Sequence, residues 1–113
     1  MNPRRVLCVH EGPGLNKLCA ALESAGYEAV PAHDGGTALD VLSSQHVDGV
    51  VLDFDTEAPG GYSLRGRIHH HSPDMPMLLF DTVEDIEHLP LHVFRSYLQN
   101  PEAPDAIFAH IYN

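Results

Sequence analysis

The sequence predicts a single α/β domain, residues 1–113, built on a doubly wound, five-stranded parallel sheet. Two observations predict it. Short apolar runs alternate with segments of helical period, each pair separated by turn formers, and 113 residues leave room for one ordinary domain. Strands alternating with helices make right-handed βαβ units whose parallel sheet is covered on both faces.

Arg5-Val6-Leu7-Cys8-Val9 is a buried strand by its unbroken apolar run. Gly12-Pro13-Gly14 breaks the chain, and Leu15, Leu18, Cys19 and Leu22 then recur at i, i+3, i+4, i+7, one face of a helix. Gly26 stands where a helix C-cap belongs. Tyr27 to Ala32 is a second strand, and Asp34 is placed to cap a helix carrying Ala38, Val41 and Leu42. Gly49-Val50-Val51-Leu52 is a third strand that ends at Asp53.

A Pro- and Gly-rich loop, Ala58-Pro59-Gly60-Gly61, leads to a helix with Leu64 and Ile68. Met77-Leu78-Leu79-Phe80 is a fourth strand, and a short helix around Val83 to Leu89 ends near Pro90. Val93 to Leu98 reads as a fifth strand. Pro101 and Pro104 introduce a last helix with Ile107 and Ile111.

Sixteen acidic side chains against six basic ones give a formal charge of −10, which argues against a nucleic-acid partner, since phosphate binding needs a basic face. Cys8 and Cys19 lack metal-type or redox-type spacing and are expected as small core residues in a reducing compartment. No apolar stretch reaches the roughly 20 residues of a membrane span, so no membrane partner is expected and the cytoplasm is the expected location. His69-His70-His71 closes the third helix; successive helical side chains point about 100° apart, so the run makes a poor ligand set and reads as a solvated helix end.

In an open parallel sheet, ligands bind outside the carboxyl ends of the strands. The polar residues there are His10 and Glu11 after the first strand, Asp53 and Asp55 after the third, Asp81 and Thr82 after the fourth, and Gln99 and Asn100 after the fifth. Glu11, Asp53 and Asp81 are expected to converge. Converging carboxylates repel, so either one pKa rises or a cation binds between them, and Mg²⁺ suits two carboxylates, a main-chain carbonyl and waters.

These positions resemble the receiver domain of two-component response regulators, along nearly the whole chain. Ala32-His33-Asp34-Gly35-Gly36-Thr37-Ala38-Leu39 looks like that family's passage from second strand to helix, and Asp48-Gly49-Val50-Val51-Leu52-Asp53 like the strand leading to its phospho-acceptor. Gly61 matches the glycine closing the next loop. Ser72-Pro73-Asp74-Met75-Pro76-Met77-Leu78-Leu79 resembles the approach to the fourth strand, and Tyr97-Leu98-Gln99-Asn100-Pro101 the end of the fifth. The resemblance implies a flavodoxin-like, CheY-like (βα)5 domain, phosphorylation of Asp53 by a histidine kinase or small phosphodonor, and Mg²⁺ held by Glu11, Asp53 and the main-chain carbonyl of Asp55. It implies a signalling module rather than an enzyme, working through contacts with a kinase or other signalling protein. The family's usual contact face, the fourth helix, fifth strand and last helix, would include Leu89, Leu91, Phe94, Tyr97 and Phe108, some of them packing the core. Any homodimer would form there; sequence does not decide whether one does.

The departures predict an atypical member. His10 replaces the first of two adjacent acids, Asp81 stands for the Thr or Ser after the fourth strand with Thr82 beside it, and Asn100 stands for the lysine before Pro101. Tyr97 matches the aromatic switch position, and the Asn100–Pro101 bond is expected to be cis. An ionised Asp81 together with the lost lysine leaves the pocket about two charges more negative, each such pair at about 4 Å being worth about 4 kcal/mol at an effective dielectric near 20. Slow or absent phosphorylation is therefore expected, unless a protonated His10 or tighter Mg²⁺ binding supplies the missing positive charge. The alternative is a phosphate-independent interaction module. Val50-Val51-Leu52-Asp53-Phe54-Asp55-Thr56 also resembles the first motif of haloacid-dehalogenase phosphatases, but no lysine follows Asp53, as that chemistry needs.

Overall fold

A computed structural model describes residues 4–99. Four strands, β1 (Arg5–Val9), β2 (Glu28–Ala32), β3 (Gly49–Asp53) and β4 (Met77–Phe80), form one parallel sheet in the order β2-β1-β3-β4. Helices α1 (Leu15–Ser24), α2 (Gly35–Ser44), α3 (Leu64–His71) and α4 (Leu91–Gln99) cover it, with a 3-10 turn at Val83–His88. The doubly wound α/β class is as expected.

Period-two alternation sorts the strand side chains into two cores. Val6, Cys8, Val51, Leu78 and Phe80 face Leu18 and Leu22 of α1, Ile86 of the 3-10 turn, and Phe94 and Leu98 of α4. Leu7, Val9, Val50, Leu52, Met77 and Leu79 face Ala38 of α2 and Leu64 and Ile68 of α3. Strands with both faces covered need the near-continuous apolar runs that made them legible.

Local punctuation follows ordinary chemistry. The Asp34 carboxylate accepts from the Thr37 amide at 2.7 Å and caps α2. Gly26, at φ +93°, turns the chain out of α1 in the left-handed region that glycine enters at no steric cost.

The expected place of the fifth strand is a correction. Val93–Leu98 lies inside α4, because Leu91, Phe94 and Leu98 recur at i, i+3, i+7 and pack one face against the first core. Pro90, just before α4, suits a helix start, and its carbonyl accepts from the Phe94 amide at 2.9 Å. Asn100, the Asn100–Pro101 bond, Phe108 and the expected last helix lie outside the described residues. Among the described residues no helix is long and apolar enough to cross a membrane.

Candidate functional site

The chain runs from β1 outward to β2 and then crosses back to β3, so the winding reverses between β1 and β3. Ligand crevices of doubly wound sheets open at such a point, beyond the strands' carboxyl ends. Val9 pairs with Leu52, which sets the next residues, His10 and Asp53, beside one another at this opening. The His10 amide donates to the Ala32 carbonyl at 3.3 Å and the Phe54 amide to the Phe80 carbonyl at 2.8 Å, so both residues are anchored by the ends of the sheet ladder.

Both oxygens of Asp53 are engaged. Oδ1 accepts from the Asp55 amide at 3.0 Å, and Oδ2 lies 3.2 Å from Nδ1 of His10. The Asp53 side chain is 19% exposed and that of His10 8%, so the pair sits in a shallow mouth with its aspartate outward. The His10 ring meets Phe80 edge to face, with centroids 5.4 Å apart.

The other expected residues surround this pair without closing on it. Glu11, Asp55, Asp81 and Thr82 are exposed. The amides of Asp81 and Thr82 turn away to the Asp85 carboxylate, at 3.2 and 2.9 Å, and open the 3-10 turn. Those backbone bonds, that from Thr82 foremost, hold Asp85 below the usual carboxylate range. Tyr97 falls within α4 rather than at the end of a strand.

Among the described residues no three His, Cys, Asp or Glu side chains gather as a set able to hold a metal ion. The convergence expected for Glu11, Asp53 and Asp81 is thus not preformed. The donor types at Glu11, Asp53 and the Asp55 carbonyl suit a hard cation such as Mg²⁺. Asp53 Oδ1 accepts from the Asp55 amide and Oδ2 faces His10, and each oxygen keeps a lone pair that a cation could take.

Sequence reading named His10 but missed its pairing with Asp53, and it missed the walls around the ring. A Cβ on Gly12 would lie 3.1 Å from His10 Nε2, and one on Gly14 3.1 Å from both Nε2 and Cδ2. Two glycines just beyond a strand were the available signal for such a close approach. Arg65, also missed, lies over the Phe54 ring at 4.3 Å and so brings a guanidinium of α3 to the residue after Asp53.

No family model matches the chain. Over 74 residues it is 36% identical to the sensor histidine kinase RcsC of Escherichia coli K12, covering 65% of this chain and 8% of that kinase. The response regulator TrrA of Thermotoga maritima, solved with Mg²⁺ and BeF, is 28% identical with a TM-score of 0.60, over 84% of this chain and 80% of that one. A chain from the complex of histidine kinase ThkA with TrrA is 31% identical with a TM-score of 0.58, over 70% and 69%. The chain spans between 8% and 37% of the length of the curated relatives it matches.

Proposed function

The chain belongs to the response-regulator receiver family of two-component signalling, and on that premise we propose that it is an atypical receiver with Asp53 at the phospho-acceptor position. One observation carries this reading: at the reversal point of the sheet, the carboxylate within the crevice is Asp53, partly open to solvent at the end of β3. A histidine kinase is the proposed phosphodonor, in keeping with the solved ThkA–TrrA complex. The signal leaves by protein–protein contacts, as a binding module and not as an enzyme, and the −10 charge speaks against nucleic acid. Two free thiols, Cys8 buried, fit the reducing cytoplasm.

Mg²⁺ held by Glu11, Asp53 and the Asp55 carbonyl would supply positive charge against the phosphoryl oxygens, as the Mg²⁺ and BeF in the TrrA structure suggest by analogy. The protein's own residues do less. Asp81 and Thr82 face solvent with their amides turned to Asp85, and an ionised Asp81 cannot donate to a phosphoryl oxygen where the family has a hydroxyl. Phosphorylation is accordingly slow. With Tyr97 inside α4, the match of Tyr97 to the aromatic switch and of Asn100 to the family's lysine, both of which rested on a strand ending there, is set aside. Of the proposed dimer face, Phe94 is core, and Leu89 and Leu91 pack partly buried against it.

A second reading, a phosphate-independent interaction module, is favoured by the bonds that already engage both Asp53 oxygens. Incubation with Mg²⁺ and acetyl phosphate, read by intact mass, separates the two. A slowly formed phosphoryl adduct that is lost in Asp53→Ala is the expected result. No adduct on folded protein supports the second reading.

A further inference from the structure

We propose that His10 is a positioning residue that caps the Asp53 carboxylate and adds to the slowness of its phosphorylation. The proposal rests on the reading of Asp53 as acceptor and assigns part of its sluggishness to one hydrogen bond.

The geometry selects the ring's tautomer. An ionised carboxylate only accepts, so the 3.2 Å contact with Oδ2 needs its proton on His10 Nδ1. The other nitrogen, Nε2, is buried and without a hydrogen-bond partner. The ring therefore carries a proton on Nδ1 and is a donor to Asp53.

The ring is also held in place. His10 is 7% exposed, Phe80 stands against it edge-on, and Gly12 and Gly14 are bare where a Cβ would come within 3.1 Å. Swinging away would require the loop after β1 to move.

The consequence falls on the nucleophile. In transfer from acetyl phosphate, a lone pair of an Asp53 oxygen forms the new O–P bond, the bond from phosphorus to the acyl oxygen breaks, and acetate leaves with that electron pair. Oδ1 accepts one bond from the Asp55 amide and Oδ2 one from His10 Nδ1–H, so each keeps a lone pair but is stabilised in the ground state. The bond from His10 weakens as the carboxylate charge passes into the new ester, and a hydrogen bond to a charged oxygen is worth about a tenfold rate or more.

The test compares wild type, His10→Ala and His10→Asn for the rate of the acetyl phosphate adduct, with Asp53→Ala as blank. His10→Ala should label about tenfold faster or more. His10→Asn, whose amide can still donate to Oδ2, should stay near the wild-type rate, which a packing role alone does not predict. Long-range proton–nitrogen NMR of wild type should show a proton on His10 Nδ1. His10→Ser replaces the alanine variant should that one fail to fold by circular dichroism. Equal labelling of wild type and His10→Ala overturns the cap while leaving Asp53 as acceptor. No labelling of any variant overturns both. A ring protonated at Nε2 alone overturns the cap whatever the labelling.

Discussion

Cys8 lies on β1 with its thiol fully buried, and Cys19 reaches it from α1, half-buried and packed on the same core. The hydrogen bond to Cys19, followed by burial, pushes the Cys8 thiol far up, whereas accepting that bond from Cys8 pulls the Cys19 thiol down. Because the thiolate is the nucleophile, iodoacetamide on native protein should alkylate Cys19 at least about tenfold faster than Cys8. Mass mapping after limited reaction measures this; equal rates would sink it. The sequence already marked both cysteines as core residues, since each sits on an apolar period. It also named His10 and Asp53, because each follows a strand. What it missed was their contact, since the pairing of Val9 with Leu52 is a matter of register between strands 43 residues apart.

At the scale of elements, the first turn of α2 shows where glycine is required and where it is not. A Cβ on Gly35 would lie 2.2 Å from the Glu57 carbonyl oxygen and 3.0 Å from Ala58 Cα, backbone atoms that cannot rotate aside. The neighbouring Gly36 has room, its nearest contacts being 3.6 Å away at Asp34 Oδ1 and Pro59 Cγ. Gly35→Ala should therefore cost about 2 kcal/mol or more by overpacking, while Gly36→Ala should gain about 0.5 kcal/mol from helix propensity. Urea midpoints at unchanged slope test the pair, and a tolerated Gly35→Ala would show that the loop at 57–58 gives way easily. The four strands were legible because burial on both faces demands unbroken apolar runs. The fifth failed because Val93, Arg95 and Tyr97 alternate like a strand while Leu91, Phe94 and Leu98 space like a helix. Pro90 was the discriminating signal, being suited to a helix start.

Over the whole molecule, charge opposes compactness. Sixteen acids share the surface with six lysines and arginines, so even complete pairing would leave ten acids uncompensated. Among the described residues the lysine and arginine ion pairs are Arg4 with Asp48 at 4.0 Å, Arg5 with Glu28 at 2.6 Å and Lys17 with Glu87 at 2.9 Å, all at the surface and individually worth little. At about 0.01 M salt the Debye length is about 30 Å, comparable with the 35 × 29 × 29 Å extents, so every excess acid feels the others. At about 0.15 M it falls to about 8 Å, and only close neighbours still interact. Sodium chloride should therefore stabilise this protein even as it weakens its ion pairs, by about 1 kcal/mol or about 4 °C in Tm, with most of the gain complete near physiological ionic strength. Chloride is the anion to use, because sulfate would strengthen burial by exclusion from the surface and confuse the two effects. Thermal melts across a salt series decide the matter: a Tm that falls steadily with salt would mean that the few ion pairs outweigh the ten uncompensated acids. A rise would place self-repulsion first and would predict that neutralising Glu23 or Glu84, both exposed and outside any described ion pair, stabilises the fold at low salt and not at high.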